Sequence, residues 1–175
     1  MPDLTYVIHI DVDDAYAEAV DGEMLQAAAA ATLAALGRAT AELSVVITDD
    51  ETIRQLNRDY RGVDEPTDVL SFAAHGEQED SEQGGAPVHL PPEAAAELAD
   101  YLGDILIAYP YSMAQARHYG TDPAAELRLL VVHGTLHLLG YDHDSPEAES
   151  AMWAIQEEVL AQFGDRGLSL RRYDP

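Results

Sequence analysis

Residues 127–139 (LRLLVVHGTLHLL) are apolar almost all the way round a helix, and this run limits the folds open to the chain more than any other segment. A helix without a polar face has to be enclosed, so the rest of the chain must supply layers around it. Asp122 is suited to cap its start, Pro123 to occupy the first helical position and Glu126 to meet the helix dipole. Two histidines interrupt the run, His133 and His137, four apart and therefore on one face a turn apart. Burying two imidazoles in such a helix is unfavourable unless they are paired or hold an ion. Gly140 can take positive φ, end the helix and turn the chain back, bringing His143 towards the same ion. Three neutral imidazoles with a fourth position open describe a catalytic zinc site better than a structural one, which closes with four protein ligands. Gly134, where a bulkier helix former would serve better, points to close approach of another backbone or to room beside the ion.

Around this helix the sequence predicts both strands and helices. Leu4–Val12, Leu43–Thr48, Val69–Phe72 and Asp104–Tyr109 read as strands. Residues from about Glu23 to Leu36 form an Ala/Leu-rich helix stopped at Gly37. A second helix, capped by Asp49 or Asp50, runs to about Tyr60 with Ile53 and Leu56 inward and Gly62 just beyond its end. A last helix is capped by Asp144 or Ser145, carries Pro146 in its first turn, repeats apolar residues at Ala148, Met152, Ile155 and Val159, and closes at Gly164. Met152, Trp153 and Phe163 read as core residues. His75–Pro92 is polar, acidic and Gly/Pro-bearing, which predicts a mobile surface loop, followed by a short helix to about Ala99. At 175 residues and 47% hydrophobic, the chain has enough apolar content for one core, so residues 1–175 read as a single domain.

There is no cysteine, which leaves only His, Asp and Glu to hold a metal. Thirty-three acids face nine bases, all arginine, for a net charge of −24. That balance argues against generic nucleic-acid binding, and no DNA partner is expected; a local basic groove inside an acidic shell remains compatible with it. The N-terminus lacks a basic start, an apolar core and a cleavage site, and no apolar run approaches the length of a membrane span. A soluble cytoplasmic protein without a membrane partner is the expectation.

Peptidases of the H-E-x-x-H type place a glutamate general base directly after the first histidine, and here that position is Gly134. Peptide hydrolysis is thereby disfavoured. Phosphodiester hydrolysis remains open and needs a cation at the phosphate. Arg61, ending the segment Asn57-Arg58-Asp59-Tyr60-Arg61, is the candidate. Arg54 and Arg58, four apart on the same helix, share a face and would add phosphate contacts.

These residues resemble the YbeY family of bacterial metal-dependent endoribonucleases. HGTLHLLGYDH is similar to the family signature H-G-x-L-H-L-x-G-Y-D-H at every fixed position, and LNRDYRGVDEPTDVLSF to its upstream motif. Gly103-Asp104 followed by ILI resembles a third motif, while Ala73 stands where the family usually has proline. The resemblance implies an α+β, zincin-like fold, with a small mixed sheet packed with helices and the metal site on a buried central helix. It implies one zinc per chain on His133, His137 and His143, with Arg61 aiding attack on the phosphodiester. By motif position Ser71 and Asp104 border the cleft, or serve as a strand hydroxyl and a turn acid. Thr67 and Asp68 fix the turn into the strand. Asp142 orients an imidazole or simply forms the turn. The implied activity is single-strand-specific cleavage of RNA in ribosomal RNA maturation, at the 3′ end of 16S rRNA, and in ribosome quality control. Ribosomal RNA precursors and the ribosome or its proteins are the implied partners. Two other readings stay open: a metal-dependent hydrolase with a non-RNA substrate, and a non-catalytic, zinc-containing ribosome assembly factor.

Overall fold

The computed structural model describes residues 4–74 and 100–168. The acidic segment 75–92 and the helix expected to about residue 99 lie outside the described residues. Four strands, β1 (Thr5–Val12), β2 (Thr40–Thr48), β3 (Val69–Ala73) and β4 (Tyr101–Ala108), form one mixed sheet in the order β1-β2-β4-β3. β1, β2 and β4 run parallel, and β3 closes one edge antiparallel to β4. Five α-helices accompany them among the described residues: α1 (Gly22–Ala35), α2 (Asp50–Arg61), α3 (Tyr109–Tyr119), α4 (Pro123–Leu138) and α5 (Pro146–Ala161). None of the described helices is long and apolar enough to cross a membrane. This is the α+β arrangement expected, with the histidine-bearing helix at its centre.

Alternation along the strands decides which helices lie where. Leu43, Val45 and Ile47 of β2 and Ile105 and Ile107 of β4 are fully buried together with Leu25 and Leu33 of α1 and Leu129, Leu130 and Leu136 of α4. At about 2 kcal/mol for each such side chain removed from water, this shared core accounts for most of what holds α4 in place. Residues of opposite parity, Leu70, Leu106 and Ala108, turn to the other face and pack with Ile53 and Leu56 of α2. Two layers of helix therefore cover the β3–β4 end of the sheet, α4 on one side and α2 on the other.

The chain stops are built as the sequence predicts. Asp49 caps α2 by accepting from the Thr52 amide at 2.7 Å, and Ser145 caps α5 by accepting from Ala148 at 3.1 Å. β2 and β4 start earlier than expected, at Thr40 and Tyr101, and β4 ends at Ala108 because Tyr109 opens a helix. That helix, α3, was not anticipated. Its N-cap is Ala108, which makes no side-chain cap. The first-turn amide of Tyr111 is instead bound by Asp50 at 2.9 Å, a partner on another helix. Pro110 and Gly120 were the signals available.

Gly134 is explained by neither of the two readings offered for it. The side chain of Ile105 on β4 lies against it: a methyl group there would sit 2.8 Å from Ile105 Cγ2 and 3.1 Å from Cγ1. The absent side chain lets α4 approach the sheet. Alanine is the better helix former by about 1 kcal/mol, yet Gly134→Ala should destabilise the protein by about 1–3 kcal/mol through overpacking. Urea denaturation checks this, and a variant more stable than the parent would show that Ile105 yields freely. Gly103 is under a stricter limit, with φ of 137° and a Cβ position 2.1 Å from the Phe72 carbonyl oxygen.

Candidate metal centre

The geometry of the site follows from one helix and the turn after it. His133 and His137 face the same way on α4, their Nε2 atoms 3.0 Å apart. The helix then ends in a paired C-terminal hydrogen-bond motif. Gly140 (φ 95°) donates to the His137 carbonyl at 3.0 Å, and Tyr141 donates to that of Leu136, also at 3.0 Å. Asp142 follows, its carboxylate accepting from the His143 amide at 2.7 Å, which holds the turn. His143 is delivered so that one nitrogen from each of the three imidazoles lies within 4.8 Å of the others.

Burial grades across the trio: His133 is buried, His137 half-buried and His143 exposed. Burial, then the charge of His137, pushes His133 down to about 3. Burial also holds His137 below the usual histidine range, followed by His143; Arg61 acts in the same direction, against Asp142. The imidazoles of His133 and His137 are therefore neutral at pH 7, the form in which a nitrogen can ligate a metal. Gln156 of α5 fixes the tautomer of His133. Its Oε1 lies 3.1 Å from Nδ1 and can only accept, so the proton sits on Nδ1 and the Nε2 lone pair is turned towards His137. Three converging imidazole nitrogens and no thiolate are a donor set that fits a borderline divalent ion such as zinc.

The other sequence candidates divide. Arg61 is exposed at the end of α2, close enough for its charge to bear on His137, and makes no ion pair among the described residues. Arg54, four residues from Arg58 on α2, is held by Glu51 at 3.3 Å and Asp64 at 3.0 Å, while Arg58 pairs with Asp59 at 3.4 Å. Ser71 and Asp104 are not brought to one face. Ser71 is in register with Ile105, on the side of the sheet that α4 covers; Asp104 is in register with Phe72, on the side of α2, and accepts from the Tyr101 hydroxyl. Asp68 is buried, accepts from the Val69 amide at 2.8 Å and from Gln115 Nε2 at 3.0 Å, and so anchors the entry to β3.

Two residues beside the histidines were missed in the sequence. Gln156 breaks the buried stripe of α5 between Met152 and Val159 and Leu160, and a lone amide in an apolar stripe was the available signal. Trp153, read as core, does pack half-buried against the core; its place beside the histidines is what was missed, with its ring centroid 5.7 Å from that of His133 and 5.8 Å from that of His143.

The family model described as Endoribonuclease YbeY matches residues 9–164. The chain belongs to the YbeY family. Among family members, Endoribonuclease YbeY of Chloroflexus aurantiacus is 45% identical over 163 residues, covering 92% of this chain and 97% of the relative. Endoribonuclease YbeY of Geobacillus kaustophilus is 50% identical over 124 residues, covering 71% of this chain and 74% of the relative. The solution structure of TM1509 from Thermotoga maritima is similar at 25% identity with a TM-score of 0.53, over 97% of this chain and 98% of that one. The match to the YbeY family spans α4, the Gly140 turn and α2, and hence every residue of the trio as well as Arg61.

Proposed function

We propose that the chain is a zinc-dependent, single-strand-specific endoribonuclease that acts on ribosomal RNA precursors, works at the ribosome and resides in the cytoplasm. The observation that carries this reading is the convergence of three imidazoles within reach of the charge of Arg61, a cation with no ion pair among the described residues, in a chain whose relatives are named endoribonucleases. His133, His137 and His143 would hold the ion. When bound, zinc supplies Lewis acidity at the phosphodiester and a nucleophile at neutral pH.

The chain's own residues do the rest. Gln156 keeps the proton of His133 on Nδ1, leaving the other nitrogen free to ligate. Arg61 offers a planar fork of donors that can grip two phosphate oxygens and neutralise charge as it develops on the phosphorus centre. Arg54, already neutralised by two carboxylates, contributes less to phosphate binding than its position on α2 suggests. Asp142 holds the turn that presents His143.

Arg61→Ala should lower turnover at saturating single-stranded RNA by about a hundredfold or more, the loss expected for one preorganised charge-stabilising group. Metal content, measured by elemental analysis, should not change. Unchanged turnover in that variant, with RNA cleavage by the parent resistant to chelator, would remove the enzymatic reading and leave the assembly-factor alternative.

A further inference from the structure

Beside the trio lies a cavity of about 610 Å³ whose lining includes His143, Asp144, Ser145, Glu149, Ser150 and Trp153. It opens on the exposed side of His143, and its character is unlike that of a phosphate site. Two of its residues are acidic and none is an arginine or lysine, which disfavours a phosphate group there. Trp153 supplies instead a large π-face, half-buried against the rings of His133 and His143. An aromatic face with acceptors around it suits a flat, uncharged group that carries N–H donors on its edge.

We infer that this cavity is a nucleobase subsite, in which the base next to the cleaved phosphodiester stacks on Trp153 while the Glu149 carboxylate accepts from its exocyclic amino group. The inference rests on the endoribonuclease reading and divides the work of the site: Arg61 takes the phosphate and the cavity takes the base. Single-stranded RNA is commonly held in this way, by stacking on aromatic side chains and by hydrogen bonds to the exposed edges of unpaired bases. Cytosine offers an amino group where uracil offers a carbonyl oxygen, so a carboxylate favours the first of two pyrimidines of equal size. Ser145 is engaged by its cap to Ala148, at 3.1 Å, and contributes shape more than recognition.

Trp153 is the single tryptophan of the chain, so its fluorescence reports on this cavity alone. The metal-loaded protein is titrated with 2′-O-methyl oligocytidine, oligouridine and an abasic oligomer of equal length, each confirmed intact after the titration. Quenching is expected with both base-bearing oligomers, with tighter binding of oligocytidine, and none with the abasic oligomer. Trp153→Ala should weaken oligocytidine binding about tenfold and raise KM with little change in kcat, at unchanged metal content. Trp153→Phe should recover part of the loss, and Glu149→Gln should narrow the preference for cytosine. Equal quenching by the abasic oligomer overturns the subsite, as does loss of metal in Trp153→Phe, which would assign the ring to packing of the ligands. Because quenching does not need turnover, it separates from the parent reading: chelator-insensitive or absent RNA cleavage by the unmodified protein removes that reading, whereas normal cleavage without base-dependent quenching removes only this one.

Discussion

His137→Ala should give a protein without bound metal and without RNA cleavage. The two remaining imidazoles, His133 on the helix and His143 on an exposed turn, cannot hold an ion as a trio does, because affinity rests on the number of preformed ligands. Loss of the metal also removes whatever stability its binding adds to the fold, by linkage. Melting temperature should therefore fall below that of the metal-loaded parent, and chelator should shift the parent but not the variant. Elemental analysis is the deciding measurement. Full metal occupancy in His137→Ala would mean that the convergence of the three nitrogens has another purpose.

In the metal-stripped protein, acid should destabilise the fold through His133. Its native pKa, pushed down to about 3 by burial and then by His137, lies below the ordinary value of 6.5. Between those values the unfolded chain binds a proton that the native state rejects. The contribution of His133 is therefore fully present above pH 6.5 and is lost as pH falls towards 3, at about 1.4 kcal/mol per unit, or about 5 kcal/mol over the interval. Between pH 6.5 and 5 the expected loss is about 2 kcal/mol. His133→Gln, which cannot titrate, provides the comparison and subtracts the effect of the many carboxylates. Parallel urea midpoints for the two proteins across that range would show that His133 already carries its proton in the native state.

Much of the centre was legible because its logic is local. His133 and His137 share a helix face, and Gly140 turns the chain within three residues of His143; spacing alone shows this. α4 was legible for the same reason, since Asp122, Pro123 and the apolar run all lie in one stretch. What escaped depends on contacts between distant segments. α3 lacks a capping side chain of its own and uses Asp50, 61 positions away. Gly134 is small on account of Ile105, a strand residue that no reading of α4 would bring to it. The pairing of Arg54 with Asp64 comes from the fold of the loop after α2. Asn57 fixes that loop by donating to the Glu65 carbonyl at 2.8 Å, a use of a buried amide that helix periodicity does not announce. The register that sends Ser71 and Asp104 to opposite faces likewise exists only once β3 and β4 are paired.

The graded burial of the three histidines has a kinetic consequence. His133 and His137 belong to a helix packed on both the sheet and α5, whereas His143 sits on a short surface turn held by a few hydrogen bonds. Opening that turn requires only local fraying, far less free energy than displacing α4. If the trio holds an ion as proposed, exchange should begin with His143 leaving first and returning last, at a rate that follows the stability of residues 140–145 instead of that of the whole protein. Thermodynamic retention and speed of loading are in this way set by different parts of the chain.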